Sequence, residues 1–316
     1  MDEHAKLSGF SKFAWFVLGY NILVILWGVF LRASKSGDGC GQHWLTCQGE
    51  VVPSAPQLKT IIEFSHRITS SLDGLIVIAL AVWAIWIWSR SKTKISSRIM
   101  KTALGALLFV IIEGLLGAGL VLTGNTAENL TPERPFWMAA HLVNTLVLLA
   151  LLTLTAFFAA GGPKLNFRVQ KKYIIAILAG VFMIFLVGIS GSIAALSSMI
   201  FPSTTIAEGI AKDFSPTSNV LLRLRLLHPI LSIATSVALI FIAGWLRKES
   251  GNDSGVTKWS NILSVVVLVQ IAFGAATLLM LAPIVMQLGH LFLADVIWIS
   301  FVLTSANFLA NSFETP

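Results

Sequence analysis

Eight apolar stretches, at approximately 13–34, 61–89, 99–123, 136–160, 173–196, 221–246, 259–281 and 284–310, constrain this chain more than any other feature. A helix needs roughly 20 such residues to cross the hydrocarbon of a bilayer, and each stretch supplies them. Backbone polar groups in lipid must bond within a helix or around a closed barrel. Hydrophobicity this continuous encodes helices, because barrel strands alternate. Composition agrees: 56% of the 316 residues are hydrophobic and 12% charged, which excludes a soluble enzyme and a disordered chain. The expected fold class is an all-α polytopic membrane protein with eight transmembrane helices.

A net charge of +7 would also suit a nucleic-acid binder, so the placement of the 22 basic residues matters. It follows the membrane. Arg90, Lys92, Lys94, Arg98 and Lys101 fall in one short connection, Lys164, Arg168, Lys171 and Lys172 in the next on that side, and Arg247, Lys248 and Lys258 in the third. Lys6 and Lys12 precede the first stretch, while the opposite connections hold only Lys35, Lys59, Arg134 and Lys212. The bias places both termini on the cytoplasmic side and leaves no role for nucleic acid. No small-residue cleavage site follows the first apolar stretch at signal-peptide distance, so that helix is expected to be retained. Arg32, Arg67, Arg223 and Arg225 sit at outer helix ends, where long side chains reach the headgroups.

Laying residues 1–160 on 161–316 exposes an internal repeat. Glu113-Gly-Leu-Leu-Gly117-Ala118 answers Gln270-Ile-Ala-Phe-Gly274-Ala275, and Gly28 answers Gly188. Four spans per half preserve orientation, which predicts parallel repeats: a four-helix bundle over 1–160 beside another over 161–316.

Six histidines occur, and four of them, His66, His141, His228 and His290, fall in the second, fourth, sixth and eighth spans. Each lies five to eight residues from the outer end, or roughly 8 to 12 Å below it. One membrane histidine can be a packing residue, but four at repeat-equivalent positions point to cofactor ligation. Facing helices can present two imidazoles to opposite sides of a flat macrocycle, so the simplest reading is one heme per half, His66 with His141 and His228 with His290. Zinc would want further protein ligands, and the spans contain no cysteine. Arg67, Arg223 or Arg225 would then pair the heme propionates.

The halves differ chemically. Glu63 stands three residues before His66 and on the same helical face, whereas Arg225 stands three before His228. A carboxylate there can stabilise positive charge or move a proton, which places catalysis in the N-terminal half. A helix-start acid favoured by the helix dipole is the plainer alternative. Asp73, Glu113 and Asp295 also fall inside spans, as functional or hydrogen-bonded acids. The first outer loop, Gly39-Cys40-Gly41-Gln42-His43-Trp44-Leu45-Thr46-Cys47-Gln48-Gly49, faces an oxidising compartment. A structural disulfide, a redox-active lid and a metal site all remain open for its two cysteines.

Together these residues resemble the heme A synthase family. The resemblance rests on Cys40-Gly-x-x-Trp44-x-x-Cys47-x-Gly49, on Glu63-Phe-Ser-His66-Arg67, and on the single histidines opening the fourth, sixth and eighth spans. It covers essentially the whole chain and is strongest from Gly37 to Gly74. It implies an eight-helix bacterial cytoplasmic-membrane oxidoreductase that converts the C8 methyl group of heme O to the formyl group of heme A for terminal oxidases. Two hydroxylation-level steps would give a gem-diol that loses water. By position, His66 and His141 would hold the substrate heme O, and His228 and His290 would ligate the iron of a heme b cofactor. Glu63 would stabilise a cationic intermediate, and Cys40 and Cys47 would form a disulfide above the substrate. Heme O synthase (protoheme farnesyltransferase) and a thiol-disulfide oxidoreductase are the partners it points to, with self-association as a further arrangement.

Two departures stand out: Leu45 follows the loop tryptophan where proline is common, and residues 197–220 lack the second cysteine pair of some members. A diheme b-type electron carrier that leaves heme unmodified is the competing class. A transporter is a more distant one, since its site would lie near the midplane rather than above it.

Overall fold

The structure, a computed structural model, describes residues 3–310. Expectations about the two termini fall partly on residues 1–2 and 311–316 and on the Lys6 side chain, which lie outside the described residues. The regular elements are α1 (Glu3–Ala33), α2 (Leu58–Ser91), α3 (Lys94–Leu122), α4 (Arg134–Ala159), α5 (Lys171–Ile200), α6 (Ile206–Phe214), α7 (Val220–Arg225), α8 (Leu227–Glu249), α9 (Ser254–Leu279) and α10 (Ile284–Ala310). Among the described residues, eight spans are long and apolar enough to cross a membrane, with α7 and α8 forming one of them. All eight expected spans are present.

The helices overrun their apolar stretches because polar residues continue them into the headgroup region and local chemistry stops them. Lys92, at φ 49°, ends α2, and Thr93 starts α3 by accepting a hydrogen bond from Ser96 N. Asp253 caps α9 by accepting from the backbone N–H of Gly255 and Val256. The sixth span breaks at Leu226, four residues after Leu222 and three before Pro229. Proline has no N–H to offer the Arg225 carbonyl and its ring crowds that group, so the first turn around His228 is released from the segment before it.

Within the first four spans, α1 touches α2 and α4, and α3 touches α2 and α4; later in the chain, α8 touches α5, α9 and α10, and α9 touches α10. The two sets meet along α4–α5, α4–α10 and α1–α10. Accordingly α4 and α10 are the most buried spans. Trp298 of α10 donates its indole N–H to the Leu146 carbonyl of α4 at 2.7 Å and meets the Phe185 ring of α5 at a tilt of 59°. A buried indole with its donor satisfied keeps this seam dry and fixes its register. The remaining faces carry exposed residues such as Leu108, Ile111, Leu115, Val265 and Leu268, the apolar surface lipid requires.

Candidate functional site

His66 stands eight residues after the start of its span, His141 seven, His228 eight and His290 six. Even-numbered spans all begin on one side, so the four imidazoles share a depth of roughly 9 to 12 Å below it. Loops 34–57, 123–133 and 280–283 and the segment holding α6 lie on that side.

His228 and His290 face each other with ring centroids 6.3 Å apart and planes crossed at 80°. That separation would accommodate a metal ion held by one nitrogen of each ring at bonds of about 2 Å. Ser190 Oγ lies 3.1 Å from His228 Nδ1, so a proton on Nδ1 leaves Nε2 bare for a metal. Gln270 of α9 donates to the His290 backbone carbonyl at 3.0 Å and lies 3.4 Å from its Nε2. The Nδ1 atoms of His66, His141 and His290 are buried without a hydrogen-bond partner. Among the described residues, no three His, Cys, Asp or Glu side chains group as metal ligands. The facing His228 and His290, with Nδ1 of His228 held by Ser190, fit a group that brings its own four equatorial nitrogens, as a heme does.

Glycines shape the slots. A Cβ on Gly28 would stand 3.0 Å from the His66 ring, one on Gly191 2.9 Å from that of His228, and one on Gly274 3.0 Å from that of His290. Three imidazoles thus lie against bare backbone of the preceding odd-numbered span. Gly191, rather than the expected Gly188, is the counterpart of Gly28 in this role. A Cβ on Gly188 would instead meet Leu142 across the α4–α5 seam. Two further contacts reach the histidines from odd-numbered spans: Glu113 Oε1 stands 3.5 Å from His141 Nδ1, and Gln270 stands against His290. Glu113 also accepts from Asn144 Nδ2 and the Thr145 hydroxyl.

Cys40 and Cys47 are joined in a disulfide, and their loop is fastened to the start of α2. Gly39 presses against the backbone of Lys59 and Thr60, leaving no room for a side chain. Its carbonyl accepts from Thr60 Oγ1 and Gln48 Nε2, each at 2.9 Å. Glu63, 2% exposed, accepts from Cys40 N at 2.8 Å and from Arg67 Nη2 at 2.5 Å. Arg67 Nη1 in turn donates to the carbonyls of His43, Trp44 and Thr46. Glu63 is therefore a buried, doubly held carboxylate under the loop, and more than a solvated helix-start acid.

The arginines expected at heme propionates are engaged elsewhere. Arg67 is taken by Glu63 and the loop. Arg225 pairs with Asp213 of α6 at 2.6 Å, and Arg223 donates to the Pro216 carbonyl. Short helix α6 supplies the acid, a feature hidden in the sequence because nine residues of amphipathic pattern resemble a loop. Asp73 accepts from Asn21 Nδ2 at 2.6 Å, so it is a hydrogen-bonded acid, and Asp295 is buried with Oδ2 unpartnered. Ser190 and Gly191 escaped the sequence reading, although Ser190-Gly-Ser192 is an unusual small-residue run for a lipid span.

Fold and site define a multi-pass helical membrane protein with a facing histidine pair, His228 and His290, in its later spans and a disulfide-closed loop fastened to the start of its second span. Residues 11–302 match a family model described as cytochrome oxidase assembly protein. The chain belongs to this family, that of heme A synthase. It is 33% identical over 284 residues to "Heme A synthase" of Halalkalibacterium halodurans, covering 88% of this chain and 89% of that one. A protein of the same name from Shouchella clausii is 28% identical over 265 residues, covering 82% and 83%. "Protoheme IX farnesyltransferase" of Thermus thermophilus is 39% identical over 305 residues, covering 96% of this chain. The match spans only 48% of that relative's length, about half.

Proposed function

We propose that the protein is a heme A synthase that oxidises the C8 methyl group of heme O to a formyl group, giving heme A for terminal oxidases. The observation that carries this reading is the set of four imidazoles at one depth, three of them laid on glycine. Family membership and the relatives named heme A synthase support it.

In this reading the chain is two parallel repeats, 1–160 and 161–316. His66 and His141 hold heme O, and His228 and His290 hold heme b. Heme b, when bound, supplies a one-electron redox centre beside the substrate half. Ser190 fixes the His228 tautomer and Gln270 orients His290. Glu63 offsets positive charge developing at the substrate carbon, and Arg67 with the Cys40 N–H keeps its carboxylate from swinging away. The tethered loop limits water above this half.

The protein lies in a bacterial cytoplasmic membrane with both termini cytoplasmic and the heme sites toward the outer face, as the basic loops favour. Heme O synthase supplies the substrate. The Thermus thermophilus relative, named for the farnesyl transfer and alike to this chain over about half its length, supports that partnership. The Cys40–Cys47 disulfide supports a thiol-disulfide oxidoreductase as a second partner.

The test is pigment chemistry. Co-production with a source of heme O is expected to yield extractable heme A, and Glu63→Gln is expected to stop conversion with heme still bound. Persistent heme O with the wild-type chain would favour the diheme carrier, and undiminished conversion by Glu63→Gln would remove that residue from the mechanism.

A further inference from the structure

Two arginines of the N-terminal half have no acidic partner among the described residues. Arg134, at the first position of α4, is 2% exposed; its Nη1 donates to the Asn129 carbonyl, and its Nε is buried without a partner. Arg32, in the last turn of α1, lies within electrostatic range of Arg134. Among the described residues neither has a carboxylate within ion-pair distance, while nearby Lys35 and Lys59 are paired with Glu128 and Asp38. Two guanidiniums within electrostatic range of each other at the edge of a membrane protein, one interior and incompletely bonded, are costly without an anion.

Their positions relative to the histidines indicate which anion. Arg32 follows Gly28 by four residues, so it stands on the face that meets His66, one turn nearer the outer side. Arg134 precedes His141 by seven residues, two turns nearer that side and on the same face. The rises are roughly 6 and 10 Å, the scale of the reach from a porphyrin's centre to its carboxylates. Arg134 is covered by protein, which disfavours a lipid headgroup. The C-terminal half has no such pair, since Arg223 and Arg225 are engaged by Pro216 and Asp213.

We propose that Arg32 and Arg134 form the carboxylate anchor of the N-terminal site, binding the propionates of the heme that His66 and His141 hold and thereby orienting it. This rests on the heme O reading above. Fork-shaped guanidinium–carboxylate pairing would set which edge of the macrocycle points outward, and so which methyl group faces Glu63.

The test is an absorption titration of the detergent-solubilised full chain with heme O and with its propionate dimethyl ester. Wild type is expected to bind the ester about tenfold more weakly than heme O. The R32Q/R134Q double variant is expected to bind heme O about tenfold more weakly than wild type and the ester equally well. R32K/R134K retains both charges and is expected to recover most of the affinity. Equal wild-type affinity for heme O and ester would overturn the proposal, and needs no variant that folds. Equal weakening of both ligands by R32Q/R134Q would also overturn it, by showing general damage to the slot. Failure of wild type to make heme A would defeat the enzyme reading while leaving the ester comparison intact.

Discussion

Gly28 of α1 and His66 of α2 touch across the helix interface so closely that a Cβ on the glycine would stand 3.0 Å from the imidazole Cε1 and 3.4 Å from Nε2. Ring orientation at this position is therefore set by the lack of a side chain on the neighbouring helix. Gly191 and His228 repeat the relationship at 2.9 Å.

Replacing either glycine by valine forces the imidazole out of its slot, because a packed interface has nowhere to put two methyl groups. Gly28→Val is expected to abolish heme retention in the N-terminal half and Gly191→Val in the other. Heme per polypeptide, measured by pyridine extraction of each purified variant, checks this; full occupancy of both would refute it.

Ser190 is the partner of His228 Nδ1. Ser190→Ala removes the group that selects the tautomer while leaving the slot open, and outer-shell changes of this kind cost about 10- to 100-fold in metal affinity. Ser190→Thr, which keeps the hydroxyl, is expected to lose less. Heme dissociation rates of the two variants compare them directly.

Arg67 joins Glu63 to three loop carbonyls through one planar fork. Lysine offers a point charge and cannot span that set. Arg67→Lys is expected to leave the helices intact but expose the segment from Gly39 to Gly49 to proteolysis. Limited digestion with mapping of the cut site would show it, and wild-type resistance would contradict it.

The disulfide closes a ring of only seven residues' separation, so its removal from the unfolded-chain side costs about 2 kcal/mol. Because Gly39, Cys40 N and Gln48 are held independently, Cys40→Ser with Cys47→Ser is expected to lower thermal stability modestly and to leave heme at His228 and His290 unchanged. Thermal melts with heme spectra decide it.

The spans were legible because each carries its own apolar run, and the four histidines because a polar ring in lipid is conspicuous. Glu63 was legible only as a neighbour of His66; its pairing with Arg67 and Cys40 depends on a loop folding back over α2. The protein partners of Arg67, Arg223 and Arg225 were not legible, because a sequence gives an arginine's depth but not what it pairs with. Asp213 of α6 and the carbonyls of the loop had already claimed them. The glycine register was three residues off for a similar reason: Gly188 and Gly191 are one turn apart, and only the packing of α5 on α8 tells which one meets the ring.

By itself, then, the order of residues determined a membrane-crossing helical chain, the depth of its four imidazoles and the cysteine-bearing loop, since hydrophobic length and local spacing are properties of single segments. Tertiary structure decided that His228 faces His290, that Gly191 shelters His228, and that Arg32 and Arg134 lie within electrostatic range of each other with no acid at ion-pair distance among the described residues. Those outcomes depend on helix rotation and side-chain pairing between segments far apart in the chain, and lipid, being equally apolar on every side, leaves that choice to interhelical packing and polar satisfaction.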